Sequence, residues 1–133
     1  MGNSKGPNIL VIDDEELTQE LLRHMLRELQ LGDIDIHSSC SKALSRFKKD
    51  PEYFAMIISD WEVPGMSGLE FLKEVRALSK DIPFLMVTGN ASKDYVIRAV
   101  QAGVTDFLAK PFTANSLHNK VRKLVPGAQP IVN

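Results

Sequence analysis

The residues of this chain that can do chemistry stand at the ends of short apolar runs. Asn8-Ile9-Leu10-Val11-Ile12 leads into the acid pair Asp13-Asp14, and Ala55-Met56-Ile57-Ile58-Ser59 leads into Asp60, Trp61 and Glu62. Phe84-Leu85-Met86-Val87 ends in Thr88, and Asp106-Phe107-Leu108-Ala109 runs into Lys110. Each has an ordinary explanation by itself. An acid pair after a strand often opens a helix against its dipole. Asp60 suits the turn at Pro64-Gly65, Thr88 can satisfy a strand-end backbone group, and a lysine before proline is commonly a surface residue. Gathered in one place, they form a different object. Asp13, Asp14 and Asp60 would repel one another and raise one another's pKa, a conflict that a divalent cation resolves. Oxygen-only ligands suit Mg2+ or Mn2+ rather than zinc. A threonine and a lysine across from them are partners for phosphoryl oxygens. A carboxylate can also be a nucleophile that becomes an acyl phosphate, and Asp60 is best placed for that role.

Whether these groups meet depends on the elements between them. Leu17, Leu21, Met25 and Leu29, with Leu22 and Leu26 beside them, follow the first run at helical spacing, and Gly32 is expected to close that helix. Ile34-Asp35-Ile36-His37 reads as a short second strand, and Ala43, Leu44 and Phe47 mark a helix stopped by Pro51. After the third run, Ser67 and Glu70 match a capping box opening a helix through Leu69, Leu72, Val75, Arg76 and Leu78. After the fourth, Ser92 caps a helix with Val96, Ile97, Ala99 and Val100, ended by Gly103. Thr113 caps the last, with Leu117, Val121 and Leu124 inward. Alternating strands and helices predict a parallel sheet covered by helices on both faces. In such a sheet ligands bind beyond the carboxyl ends of the strands, where every residue named above falls.

Composition agrees with one globular domain: 133 residues, 44% hydrophobic, 25% charged, formal net charge −1. That charge gives no general attraction to nucleic acid or anionic lipid. The single cysteine, Cys40, cannot pair within the chain, which points to a reducing, cytoplasmic setting. No run reaches the length of a membrane span, and Gly6 stands where a myristoylation signal needs Ser or Thr. His24, His37 and His118 lack metal-binding spacing. Residues 1–7 are expected to be a flexible leader, 8–125 the domain, and 126–133 a flexible tail or the start of a linker.

As a set, Asp13-Asp14, Asp60, Pro64, Gly68, Thr88 and Lys110-Pro111 resemble the motifs of response-regulator receiver domains of two-component signalling, in particular the stand-alone CheY-type regulators. The resemblance implies an α/β flavodoxin-like (βα)5 three-layer sandwich with a parallel five-stranded sheet in the order 2-1-3-4-5. It implies a signalling switch that catalyses only its own phosphorylation and dephosphorylation, taking a phosphoryl group from a histidine kinase or phosphotransfer protein. Asp60 would be the phospho-acceptor. Asp14 and Asp60 would ligate Mg2+ through their side chains, Asp13 through a water, and Glu62 through its backbone carbonyl. Thr88 and Lys110 would hold phosphoryl oxygens, Phe107 would be the aromatic switch, and Lys110-Pro111 a cis peptide. Trp61, Gly89 and Asn90 would rim the site. The face of the fourth helix, fifth strand and fifth helix would meet a downstream protein or output domain through Val96, Phe107 and Lys120, with Lys93 and Tyr95 nearby. Phe107 replaces the tyrosine of chemotaxis members, and Glu62 and Asn90 fill positions that vary in the family.

Other readings are weaker. A haloacid-dehalogenase-like phosphatase shares the Asp, Thr, Lys and Mg2+, but Asp60 follows the third strand and Glu62 stands where a second Asp belongs. A receiver-shaped scaffold would not need the acids, Thr88 and Lys110 together. Nucleotide binding wants glycines where the first loop is Asp-Asp-Glu-Glu, and no segment after residue 125 can form a DNA-binding helix pair.

Overall fold

The computed structural model describes residues 6–90 and 92–131. Five strands, β1 (Ile9–Ile12), β2 (Ile34–His37), β3 (Met56–Asp60), β4 (Phe84–Thr88) and β5 (Asp106–Ala109), alternate with five helices. The helices are α1 (Glu16–Leu26), α2 (Cys40–Lys49), α3 (Gly68–Leu78), α4 (Lys93–Ala102) and α5 (Ala114–Leu124). All strands are parallel, in the order β2-β1-β3-β4-β5.

Successive side chains alternate across a strand, so each strand feeds two cores. Leu10, Ile12, Ile57, Phe84 and Met86 pack under α2, α3 and α4 with Phe47, Phe71, Leu72, Val75 and Ala99. Ile9, Val11, Met56, Ile58, Leu85 and Val87 pack under α1 and α5 with Leu22, Leu26, Leu117 and Val121. The three central strands are buried throughout, which is why they are apolar up to the polar residues Ser59, Asp60 and Thr88 at the carboxyl ends of β3 and β4. The edge strands β2 and β5 are only partly covered.

Helix starts follow their caps. The reciprocal capping box of Ser67 and Glu70 opens α3, Ser92 accepts the Tyr95 N–H at α4, and Thr113 pairs with Ser116 at α5. Gly103, at φ 96°, ends α4 in the left-handed conformation that glycine adopts without strain.

Three expectations change. First, α1 ends at Leu26 rather than running to Gly32. Leu29 leaves the helix and bridges Pro130, so this helix is closed by a partner remote in sequence. Second, Leu17 and Leu21 are 73% and 44% exposed, and the buried stripe of α1 is Leu22 and Leu26. Third, residues 126–131 are docked rather than free. Ala128 is fully buried, Gln30 N–H donates to the Gln129 carbonyl at 2.7 Å, and Ile131 N–H to that of Glu28 at 3.1 Å. Of the expected leader, Pro7 accepts the Gly32 N–H, while residues 1–5 lie outside the described residues, as do 132 and 133 of the tail.

Arg76 ties α3 to the end of α4. Its guanidinium donates to the Gly103 carbonyl (2.8 Å), the Ser79 carbonyl (3.1 Å) and Thr105 Oγ1 (3.3 Å). Arg76→Ala should therefore cost about 1–3 kcal/mol in urea unfolding, with Arg76→Lys recovering only part, since an ammonium lacks the fork.

Candidate functional site

Parallel pairing places the strand ends side by side. Ile12 pairs with Ser59 and Asp60 with Val87, so Asp13, Asp60 and Thr88 emerge along one edge of the sheet. All three are buried, at 1%, 5% and 3% exposure. Asp14 is exposed beside them, and oxygens of Asp13, Asp14 and Asp60 lie within 4.8 Å of one another. A cleft of about 310 Å3 opens above, lined by Asp14, Glu15, Asp60, Glu62, Gly89 and Lys110.

Each buried carboxylate is held at both oxygens. Asp60 Oδ1 accepts the Glu62 N–H at 3.0 Å, and Asp13 Oδ1 accepts the Glu15 N–H at 2.9 Å. From beyond β5, Lys110 reaches in, its Nζ 2.7 Å from Asp60 Oδ2 and 3.1 Å from Asp13 Oδ2. Lys110-Pro111 is a cis peptide. Burial raises the Asp13 pKa above 3.8 and the Asp60 charge adds to that, outweighing the Glu15 N–H and Lys110, which oppose it. Burial lowers the Lys110 pKa, but its hydrogen bond to Asp60 and the charges of Asp60 and Asp13 reverse this to a net rise. The ammonium is thus held protonated between two acids. Three carboxylates with hard oxygen donors at this spacing fit a small divalent cation, and Lys110 balances only part of their charge.

Thr88 is at the edge of this cluster but engaged elsewhere. Its Oγ1 donates to the Asn90 carbonyl (3.1 Å) and accepts the Asn90 N–H (2.9 Å). Asn90 Oδ1 in turn accepts the Ser92 N–H at 3.0 Å. Gly89 and Glu62 line the cleft. Trp61 does not: its ring is 4% exposed and stacks on Tyr95 of α4. Phe107 is half-buried against the α2–α4 core, and Val96 is half-buried on α4. Lys120 is bound to Asp106 at 3.0 Å.

Sequence reasoning missed the supports from Gln19 and Glu15, though it named Gly68. Gln19 Nε2 donates to the Asp13 carbonyl at 2.6 Å, fixing the acidic loop from α1. Glu15 comes within 3.9 Å of Lys110. Gly68 is required by space, since a Cβ there would lie 2.3 Å from the Asp60 carbonyl oxygen. Gly68 stood in the motif set at a helix start, whereas nothing local announces Gln19.

A parallel five-stranded α/β sandwich with this acid-lysine cluster at its strand ends is the architecture of a phosphoryl-accepting signalling domain. The response regulator receiver domain family matches residues 9–122, and the chain belongs to that family. It is 35% identical over 123 residues to the chemotaxis protein CheY-3 of Vibrio cholerae, covering 91% of this chain and 93% of that one. It is 36% identical over 118 residues to CheY of Pseudomonas aeruginosa, covering 87% and 94%. Among solved structures, Vibrio cholerae CheY4 superposes with a TM-score of 0.83 at 29% identity, over 90% of this chain and 99% of that one. The receiver domain of a Pseudomonas aeruginosa sensor histidine kinase, solved with a magnesium ion coordinated in its active-site cleft, superposes with a TM-score of 0.81 at 25% identity, over 91% and 98%. Phosphorylation of an aspartate in Mg2+-dependent two-component signalling is the general function of this family. Among the described residues, no helix is long and apolar enough to cross a membrane.

The raised Asp13 pKa sets a pH dependence. Above 3.8 and up to that raised value, the folded protein holds a proton that the unfolded chain has lost. Metal-free stability therefore falls as pH climbs through this window. Mg2+ competes with that proton, so its stabilising effect should grow over the same range. Thermal unfolding against pH, with and without Mg2+, checks this, and Asp13→Asn should flatten both trends.

Proposed function

We propose that Asp60 is the phospho-acceptor of this receiver. The observation that carries the reading is the buried pair Asp13 and Asp60 bridged by the Lys110 ammonium, with Asp14 open to solvent beside them. Asp60 Oδ2, the oxygen now bonded to Lys110, attacks phosphorus, the bond from phosphorus to the donor's imidazole nitrogen breaks, and the imidazole leaves with a proton from solvent. Lys110 then moves from carboxylate to phosphoryl oxygen, remaining an ammonium bonded to an anion. Asp14 and Asp60 would hold Mg2+ directly, Asp13 through water and Glu62 through its carbonyl; the ion supplies positive charge against the crowded carboxylates and phosphoryl oxygens. The Thr88 hydroxyl supplies the second phosphoryl contact once it leaves Asn90.

The donor is a phosphohistidine protein, a histidine kinase or a phosphotransfer protein. Exposed Leu21 of α1 lies with Thr18 beside Lys110, Pro111 and Phe112, giving the rim an apolar shoulder suited to a protein donor. The output is a shift of the face formed by α4, β5 and α5, with Val96, Phe107 and Lys120, read by a downstream protein or an attached domain. The setting is the cytoplasm, where such donors act.

Intact mass after incubation with a small acyl-phosphate donor tests the assignment. One phosphoryl adduct that requires Mg2+ and disappears in Asp60→Asn is expected. An adduct persisting in Asp60→Asn would place the acceptor elsewhere, and absence of any adduct in the wild type would favour a scaffold. Multiple turnover of small phosphate esters would favour the phosphatase reading.

A further inference from the structure

Two routes lead from the phosphoryl site to the first turn of α4, and they converge on one residue. The first is a chain of hydrogen bonds. Thr88 Oγ1 holds both backbone groups of Asn90, Asn90 Oδ1 holds the Ser92 N–H, and Ser92 Oγ accepts the Tyr95 N–H at 3.4 Å. The second is a stack of rings. Trp61 directly follows Asp60, and its backbone is fixed on both sides: its N–H donates to the Val87 carbonyl at 3.0 Å and its carbonyl accepts the Gly68 N–H at 2.9 Å. Its ring stacks on Tyr95 with centroids 4.3 Å apart and planes 20° apart. The Arg98 guanidinium lies 5.8 Å from each ring centroid, with Asp94 3.7 Å from it.

We propose that Tyr95 is a positioning residue that couples phosphoryl binding to α4, by holding the helix in the arrangement in which Thr88 is bonded to Asn90. The inference rests on the reading of Asp60 as phospho-acceptor. Thr88 has one hydroxyl, and both hydrogen-bonding directions seen here go to Asn90. Donating to a phosphoryl oxygen requires it to give up the Asn90 carbonyl, which leaves at most the accepted Asn90 N–H. Asn90 then loses one of its two bonds to Thr88, which loosens the segment that seats Ser92 and Tyr95. Trp61 cannot follow, because its backbone is tied to β4 and α3. The Trp61–Tyr95 stack therefore belongs to the phosphoryl-free arrangement. A contact made in only one of two states biases the equilibrium toward that state, so the stack opposes phosphoryl engagement and sets how far α4 responds.

The test is affinity for beryllofluoride, a phosphoryl mimic, in the presence of Mg2+, with amide NMR of α4. Wild type is compared with Tyr95→Phe, which keeps the ring, and Tyr95→Leu, which removes it. Tyr95→Leu should bind beryllofluoride about 2- to 10-fold more tightly, the worth of one stacked aromatic pair. Its free-state α4 resonances should shift along the line joining free and loaded wild type, while Tyr95→Phe matches wild type. Mere loss of packing would lower stability without tightening binding, so the sign separates coupling from damage. Arg98→Gln, a milder cut in the same ladder, should shift affinity the same way by less, and covers the case in which Tyr95→Leu folds poorly. Equal or weaker binding by Tyr95→Leu and Arg98→Gln, whichever of them fold, overturns the coupling alone. Failure of the wild type to bind beryllofluoride with Mg2+ overturns the Asp60 reading and the coupling with it.

Discussion

The structure depends on one electrostatic conflict and its local settlement: Asp13 and Asp60 are almost fully buried side by side, and the Lys110 ammonium is inserted between them. Buried carboxylates are tolerated only when their charge and lone pairs are answered. Here two backbone N–H groups and one lysine answer the buried pair, while Asp14 remains open on the same cluster. Much else in the chain serves this arrangement. The unbroken apolar runs of β1 and β3 fix the two acids at matched height, Gly68 lets α3 start against the Asp60 carbonyl, and Gln19 holds the acidic loop from the other side. The resulting site carries three carboxylates against one ammonium, a surplus of negative charge.

The same site is linked outward through Thr88. Its hydroxyl holds both backbone groups of Asn90, which ties the end of β4 to the loop that leads into α4. Phe107, half-buried on β5, lacks the hydroxyl of a tyrosine, so any reorientation of its ring is governed by packing alone. The Trp61–Tyr95 stack adds a second connection from the active loop to α4.

Much of this was legible in the sequence because parallel central strands, buried on both faces, must be continuously apolar, and their ends therefore mark themselves. Asp13, Asp60 and Thr88 could be placed from that alone, and the capping residues Ser67, Ser92 and Thr113 fixed three helix starts. What was not legible is non-local. The end of α1 looked like Gly32 because Leu29 keeps the helical spacing, yet Leu29 is withdrawn to bridge Pro130. Residues 126–131 have the prolines of a tail and no period, and only their docking against the end of α1 orders them. Trp61 looked like a rim residue because it follows Asp60, while its partner Tyr95 lies on a helix whose rotation no local pattern specifies.

The most direct test of the whole account is a crystal structure with Mg2+ and beryllofluoride bound. Beryllium should be attached to an Asp60 carboxylate oxygen, with Lys110 Nζ moved from Asp60 to a fluoride and Thr88 Oγ1 moved from Asn90 to another. Beryllofluoride on any other residue, or Thr88 still holding both Asn90 backbone groups in the loaded protein, would contradict it.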